Sequence, residues 1–325
     1  MAPRRHGSER TGCLILGSLP SLDPRQVGCR KGEPVGIDRD TVIASARAEG
    51  RVWHEWGGSG PVLHFAHANG FPSGTYRKFL RALTARHRVV STEARPLWPG
   101  AEPVDLRDWS LLVADLRAEL GRRGLRGIVG VGHSLGGAVT LLAAAADPGL
   151  FSVVVAVDPV ILTGLDARVW GLVKAMGLRN RNPLARGARH RRRSWPDRQA
   201  VRAAYASKRV FATWDPEVLN DYVAAGTVEL EEGGVGLRYP REWEARIFAA
   251  APHDLWPQLR RVSVPTLFVQ GALSNTFVDA ARTRVEREVD GARTVVVADS
   301  SHFLPMERPI EVARIANAFL EQVGP

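Results

Sequence analysis

Short apolar runs and helical spacings alternate along most of this chain. A hairpin-like pattern begins at Arg51-Val52-Trp53-His54-Glu55-Trp56, and the glycine-rich turn 57–61 follows. Val62-Leu63-His64-Phe65-Ala66 comes next, so the local pattern predicts a hairpin-like pair of strands. Tyr76, Phe79, Leu80 and Leu83 fall at helical spacing within 76–85, and 88–92 reads as another strand. A second amphipathic helix is predicted over 109–122, with Asp108 as its cap. The runs Ile128-Val129-Gly130-Val131 and 151–157 then bracket a small-residue helix at 137–146. The same texture resumes late, with strands at 265–271 and 293–298 and helices at 277–289 and 309–323. Pro309 suits the first turn of the last helix. These strands are continuously apolar, the pattern of strands buried on both faces, so the fold class is α/β: a mostly parallel sheet with helices on both faces.

Between residues 161 and 258 the texture changes to helical fragments with few strand runs. Five of the nine tryptophans lie here: Trp170, Trp195, Trp214, Trp243 and Trp256. This reads as a helical insertion lying over the strand ends, its first helix spanning Leu165 to Met176. The division is therefore a core of 46–160 and 259–325 with an insertion of 161–258.

Charge changes this picture in one place. The net charge is +10, but residues 179–193 hold seven arginines (Arg179, Arg181, Arg186, Arg189, Arg191, Arg192 and Arg193) and no acid. The first 50 residues add only two more, which leaves the rest of the chain near +1. The favoured reading of the arginine segment is a solvated, disordered loop. The less favoured one is peripheral contact with an anionic surface, and no nucleic-acid partner is expected, since aromatic interleaving and recognition motifs are absent. Residues 1–45 read as a disordered extension, and Cys13 and Cys29 both lie there, so a disulfide between them would staple only a tail. The expected location is cytoplasmic, with secretion the alternative.

The chemistry concentrates at Gly132-His133-Ser134-Leu135-Gly136, between the strand ending at Val131 and the helix at 137–146. This G-x-S-x-G is a nucleophile elbow: a strained strand-to-helix turn that projects the Ser134 hydroxyl from the sheet at a helix N-terminus. A serine needs a base, and His302, on the loop after the last strand, is the candidate. No G-x-G-x-x-G, P-loop, His-Glu-x-x-His or cysteine cluster occurs, so neither a cofactor nor a metal is expected.

The elbow, the late Ser301-His302-Phe303-Leu304-Pro305-Met306-Glu307-Arg308-Pro309 and the early His67-Ala68-Asn69-Gly70 together resemble the α/β-hydrolase superfamily. The resemblance implies eight strands, a helical cap inserted after strand six and the chain order Ser…acid…His. In many members the strand before the last ends in Gly-x-x-Asp. Here it reads Gly271-Ala272-Leu273-Ser274, so serine stands where the acid is expected. Asp158, at the end of the sixth strand, is the candidate acid instead, with Asp299 a second alternative. For the oxyanion hole the backbone N–H groups of Leu135 and Asn69 are assigned, with Ala68 or Gly70 as alternatives to Asn69. His67 is read as pinning that loop. The implied activity is ester hydrolysis through a Ser-His-Asp acyl-enzyme on a small, apolar substrate. Carbon–carbon hydrolysis, lactone opening, acyl transfer and a ligand-binding or scaffold protein with little turnover stay open.

Overall fold

Strands buried on both faces need neighbours on both edges, and the sheet supplies them. The computed structural model describes residues 47–48 and 51–324, so the expectations for residues 1–45, including Cys13 and Cys29, lie outside the described residues. The strands are β1 (Arg47–Ala48), β2 (Arg51–Gly57), β3 (Val62–Ala66), β4 (Arg88–Thr92), β5 (Ile128–His133), β6 (Phe151–Val157), β7 (Ser194–Trp195), β8 (Thr227–Glu229), β9 (Val235–Leu237), β10 (Thr266–Gly271) and β11 (Ala292–Val297). The helices are α1 (Arg77–Leu83), α2 (Ser110–Arg122), α3 (Leu135–Ala146), α4 (Gly164–Ala175), α5 (Pro183–Arg189), α6 (Arg198–Ala206), α7 (Pro216–Gly226), α8 (Arg241–Ala249), α9 (Trp256–Leu259), α10 (Asp279–Glu288), α11 (Leu304–Glu307) and α12 (Pro309–Val323). Eight strands form the main sheet, in the order β1-β2-β4-β3-β5-β6-β10-β11. The β1–β2 and β2–β4 pairs are antiparallel and the others parallel.

The period-2 geometry of a strand divides the core between the two faces. Along β6, Val153, Val155 and Val157 join one cluster with Phe65, Phe79 and Phe319. Val154 and Ala156 join the other, with Leu116, Leu141 and Phe268. Helices α1 and α12 thus cover one face, and α2, α3, α9 and α10 the other.

Two expectations are corrected. Strands β2 and β3 are not a hairpin, because β4 lies between them, antiparallel to β2 and parallel to β3. The turn has hairpin chemistry, but β3, with Leu63 and Phe65 fully buried, is an inner strand whose two edges are taken by β4 and β5. The arginine segment is not a disordered loop. Residues 183–189 form α5, which packs Ala185 and Ala188 against Ala245 and Ala249 of α8. Arg179 donates to the Leu106 carbonyl at 2.5 Å, and Arg191 sits among Glu244 (2.6 Å), Tyr222 (2.8 Å) and Tyr205 (3.2 Å). These partners are 14 to 73 residues away in sequence, beyond the reach of any local pattern.

Residues between β6 and β10 also hold a small antiparallel sheet, β7-β9-β8, whose strands of two or three residues are too short to show a period. Two tryptophans of residues 161–258 are held inside the fold. Trp243 and Trp256 are buried and donate to the carbonyls of Ala101 and Leu162 at 3.0 and 2.9 Å. No helix among the described residues is long and apolar enough to cross a membrane.

One core group makes the fold sensitive to acid. His64 of β3 is fully buried, with Nε2 on the Thr92 hydroxyl at 2.9 Å and Nδ1 without a partner. Burial, with His67 nearby, lowers its pKa from 6.5 to about 3. The unfolded histidine takes up a proton near pH 6.5 and the folded one only near pH 3, so acid favours the unfolded chain. Stability is therefore lost as pH falls from about 6.5 towards 3, by on the order of 2 kcal/mol at pH 5 from this residue. The urea midpoint should drop between pH 7.5 and pH 5, and His64→Gln should flatten that drop. An equal drop in both proteins would show that the acid sensitivity lies elsewhere.

Candidate active site

The site begins with backbone strain. Ser134 adopts φ 56° and ψ −117°, a region that a residue with a β-carbon rarely occupies. The flanking glycines allow it: a β-carbon at Gly132 would meet the Gly136 carbonyl carbon at 2.4 Å, and one at Gly136 would meet the Ala66 carbonyl oxygen at 2.1 Å. Strand β5 and helix α3 can therefore pass at backbone contact, and Ser134 is thrown to the carboxyl edge of the sheet, where parallel α/β sheets bind ligands.

Three side chains from three strand ends meet there. His302 Nε2 lies 2.9 Å from Ser134 Oγ, and His302 Nδ1 lies 2.8 Å from Asp158 Oδ1. The carboxylate can only accept, so Nδ1 carries the proton and Nε2 is left to accept from the serine hydroxyl. Asp158 is fully buried and is itself held. Its Oδ2 accepts from the Gly271 N–H at 2.9 Å, and its Oδ1 accepts from the Ser274 hydroxyl at 2.6 Å. Ser274, at the position where the resemblance expects a carboxylate, thus touches the carboxylate that β6 supplies. Asp299 is exposed at φ 51° and is not part of this row.

The second group of donors lies on the loop after β3. The Ala68 N–H is taken by the Tyr76 hydroxyl at 3.2 Å. Among the described residues neither the Asn69 N–H nor the Leu135 N–H is donated to a carbonyl or side chain. Leu135 opens α3, and the first N–H groups of a helix have no acceptor within it. The Asn69 side chain, by contrast, is fully engaged by the insertion. Its Nδ2 donates to the Glu244 carbonyl at 3.0 Å and its Oδ1 accepts from Tyr239 at 2.9 Å.

His67 orients that loop. Its Nε2 accepts from the Ala94 N–H at 2.9 Å and its Nδ1 donates to the Ala68 carbonyl at 2.8 Å, the pattern of a neutral ring. Burial lowers its pKa, which agrees with that tautomer. Because C=O and N–H point opposite ways across one peptide plane, holding the Ala68 carbonyl aims the Asn69 N–H away from His67. Beneath it, Glu93 is a buried carboxylate that accepts from the Ser73 N–H at 3.1 Å and from His54 at 3.0 Å, with Arg238 of the insertion at 3.4 Å. Burial alone would raise its pKa, but the His54 hydrogen bond, then His67 at 3.2 Å and then the charge of Arg238 hold it down at about 2.

A buried relay that the sequence did not reveal joins both groups. The Tyr76 hydroxyl lies 2.8 Å from His133 Nδ1, and His133 Nε2 donates to the His302 carbonyl at 2.8 Å. His133 is pushed well below its ordinary pKa, chiefly by burial and then by His302, so it serves as a neutral spacer. The loop after β3, the elbow and the His302 loop are thereby tied in one line. Tyr76 and His133 are 57 residues apart, and no sequence period connects them.

Aromatic rings wall the His302 side of the site. Phe303 lies 5.6 Å from Phe71 and 5.6 Å from Trp214, and Phe71 lies 5.0 Å from Tyr222. Trp214 is the insertion tryptophan that joins this wall. Its indole N–H is buried without a partner. A separate cleft runs beside the first turn of α3, lined by His67, Glu93, Trp98, Leu135 and Val139 among others, but neither Ser134 nor His302 borders it. Among the described residues no group of three or more His, Cys, Asp or Glu is arranged to hold a metal ion.

Comparison with known proteins agrees with this architecture. The family model described as "Alpha/beta hydrolase family" matches residues 65–315. The abhydrolase domain-containing protein AFT2-1 of Alternaria alternata is 29% identical over 231 residues, 60% of this chain and 83% of that protein. Among solved structures, E-2-(acetamidomethylene)succinate hydrolase superposes with a TM-score of 0.69 at 22% identity, covering 83% of this chain and 95% of the other. The enol-lactonase from Burkholderia xenovorans LB400 superposes at 0.63 with 20% identity, covering 85% and 99%. At such identities the structural likeness speaks for the fold, while the family match spans most of the chain: this protein belongs to the alpha/beta hydrolase family.

Proposed function

We propose that this protein is a serine hydrolase that cleaves a carboxylic ester through an acyl-enzyme. The observation that carries this reading is the unbroken row Ser134 Oγ, His302 Nε2 and Nδ1, and Asp158 Oδ1, with contacts of 2.9 and 2.8 Å. Ser134 attacks the ester carbonyl carbon as its proton passes to His302 Nε2. Asp158 keeps His302 in the reactive tautomer and stabilises the imidazolium that forms. The oxyanion is held by the Leu135 and Asn69 N–H groups, a type of contact in which each donor is worth roughly 3 kcal/mol. Collapse breaks the bond to the alcohol oxygen, which leaves with the proton from His302. Water then repeats the sequence on the acyl-enzyme, releases the acid and restores Ser134.

The aromatic wall of Phe71, Trp214, Tyr222 and Phe303 beside His302 favours an apolar or aromatic group on the substrate. A serine at 274, where many members of the family carry the acid, would favour a protein of this fold that only binds its ligand. Ser274 instead donates to Asp158, which supports the reading with turnover.

A panel of nitrophenyl esters of rising acyl length tests the proposal. Mixing enzyme with an accepted ester should release a burst of nitrophenol equal to the enzyme present, followed by a slower steady rate. Prior treatment with a fluorophosphonate should abolish the burst and leave the adduct on Ser134. A protein that gives no burst with any ester and takes no label when folded is not this enzyme.

A further inference from the structure

The first helix of the insertion has an apolar face that nothing in the fold covers. Leu165, Val169, Leu172 and Met176 recur at i, i+4, i+7 and i+11 and are 73%, 51%, 60% and 54% exposed. At 100° per residue these four fall on one narrow stripe of α4. The opposite side is the one that faces the body. There Trp170 donates to the Ala251 carbonyl at 2.7 Å, and Lys174 donates to the carbonyls of Arg107 and Ala251, each at 3.1 Å. The stripe is therefore not the inner face of a loosely packed helix. It points to solvent while the helix is anchored from behind. No residue of α4 is buried, which leaves its own stability to those anchors.

Charge around the stripe indicates what covers it. Arg168 flanks it on one edge and Asp166 on the other. The chain leaves α4 directly into the arginine segment, where Arg189 is bonded to Asn180. Arg179, Arg191 and Arg193 are matched to Asp105, Glu244 and Glu242. Arg168, Arg181, Arg186 and Arg192 are exposed, and none of them pairs with a carboxylate among the described residues. Leu184, between them on α5, is 61% exposed. Exposed leucines among unpaired arginines match the boundary between acyl chains and anionic headgroups, where apolar side chains insert and cations meet phosphate.

We propose that α4 and the segment following it dock the protein on an anionic phospholipid surface. The apolar stripe enters the interface, and Arg168, Arg181, Arg186 and Arg192 pair with headgroup phosphates. The sequence alone showed the arginines, with a solvated loop as the favoured reading and contact with an anionic surface as the lesser one. The stripe beside them becomes visible only when the inward face of α4 is known.

Co-sedimentation of the full chain with vesicles tests this. Wild type should bind vesicles of phosphatidylcholine mixed with phosphatidylglycerol and bind phosphatidylcholine alone at least about tenfold less, with the difference closing in high salt. Leu172→Glu should weaken binding about tenfold or more. Arg181→Gln with Arg186→Gln should cost about fivefold for each arginine. All of these positions are exposed, so each variant should keep the wild-type urea midpoint, and that measurement separates lost docking from lost folding. Equal sedimentation with and without anionic lipid overturns the proposal. So does undiminished binding by Leu172→Glu. A concentration-dependent dimer that Leu172→Glu dissolves also overturns it, by assigning the stripe to a second copy of the chain.

Discussion

Ser134→Ala is expected to lower kcat on any accepted ester by about 10⁴- to 10⁶-fold, which leaves only what binding and the oxyanion donors contribute. The effect is large because the hydroxyl is the one atom of the proposed mechanism that becomes covalently bonded to the acyl group. His302 Nε2, 2.9 Å away, would have no proton to accept. Binding should change little, so the loss belongs in kcat and not in KM. The same residue offers a second readout, because Ser134 is held at φ 56°. Alanine keeps the β-carbon and the strain, whereas glycine relieves it. Ser134→Gly should therefore stabilise the fold by about 1 kcal/mol relative to Ser134→Ala, raising the melting temperature by about 2–4 °C, while both variants stay inactive. Steady-state kinetics and thermal unfolding check the two halves. Retained turnover or retained fluorophosphonate labelling in Ser134→Ala would place the nucleophile elsewhere.

The readability of this site from sequence follows the range of the forces that build it. The elbow is legible because its requirements are local: two glycines next to a serine, between an apolar run and a small-residue helix. The parallel sheet is legible because burial on both faces writes a continuous apolar run into each strand. Pairing is less so. The 57–61 turn has the composition of a hairpin, yet β4, some 30 residues later, takes the place beside β2. The arginine segment misleads for the same reason. Its local composition is that of a solvated loop, but Arg191 is matched by Glu244, 53 residues on, and Arg179 by Asp105, 74 residues back. The Tyr76–His133–His302 relay has no sequence signature, since each link joins a different loop.

Asp158→Asn should lower kcat by about 10⁴-fold, whereas Ser274→Ala should cost no more than about fivefold. The asymmetry comes from counting donors. Three donors converge on the Asp158 carboxylate: His302 Nδ1–H, the Gly271 N–H and the Ser274 hydroxyl. An asparagine has one acceptor oxygen where three donors need two. If that oxygen faces Gly271, the amide NH₂ faces His302 and forces its proton onto Nε2, so the ring presents a hydrogen to Ser134 Oγ and can no longer act as a base. If it faces His302, the amide group clashes with the Gly271 N–H at a fully buried position, and the β6 and β10 ends are pushed apart. Ser274→Ala removes one donor and leaves the other two, so His302 keeps its tautomer and the carboxylate its charge. Urea midpoints should separate the two outcomes for asparagine: an unchanged midpoint with lost kcat marks the wrong tautomer, and a lowered midpoint marks the clash. Near-normal turnover in Asp158→Asn together with a collapse in Ser274→Ala would mean that the orienting group enters from the β10 end, where many relatives of this fold carry it, and not from β6.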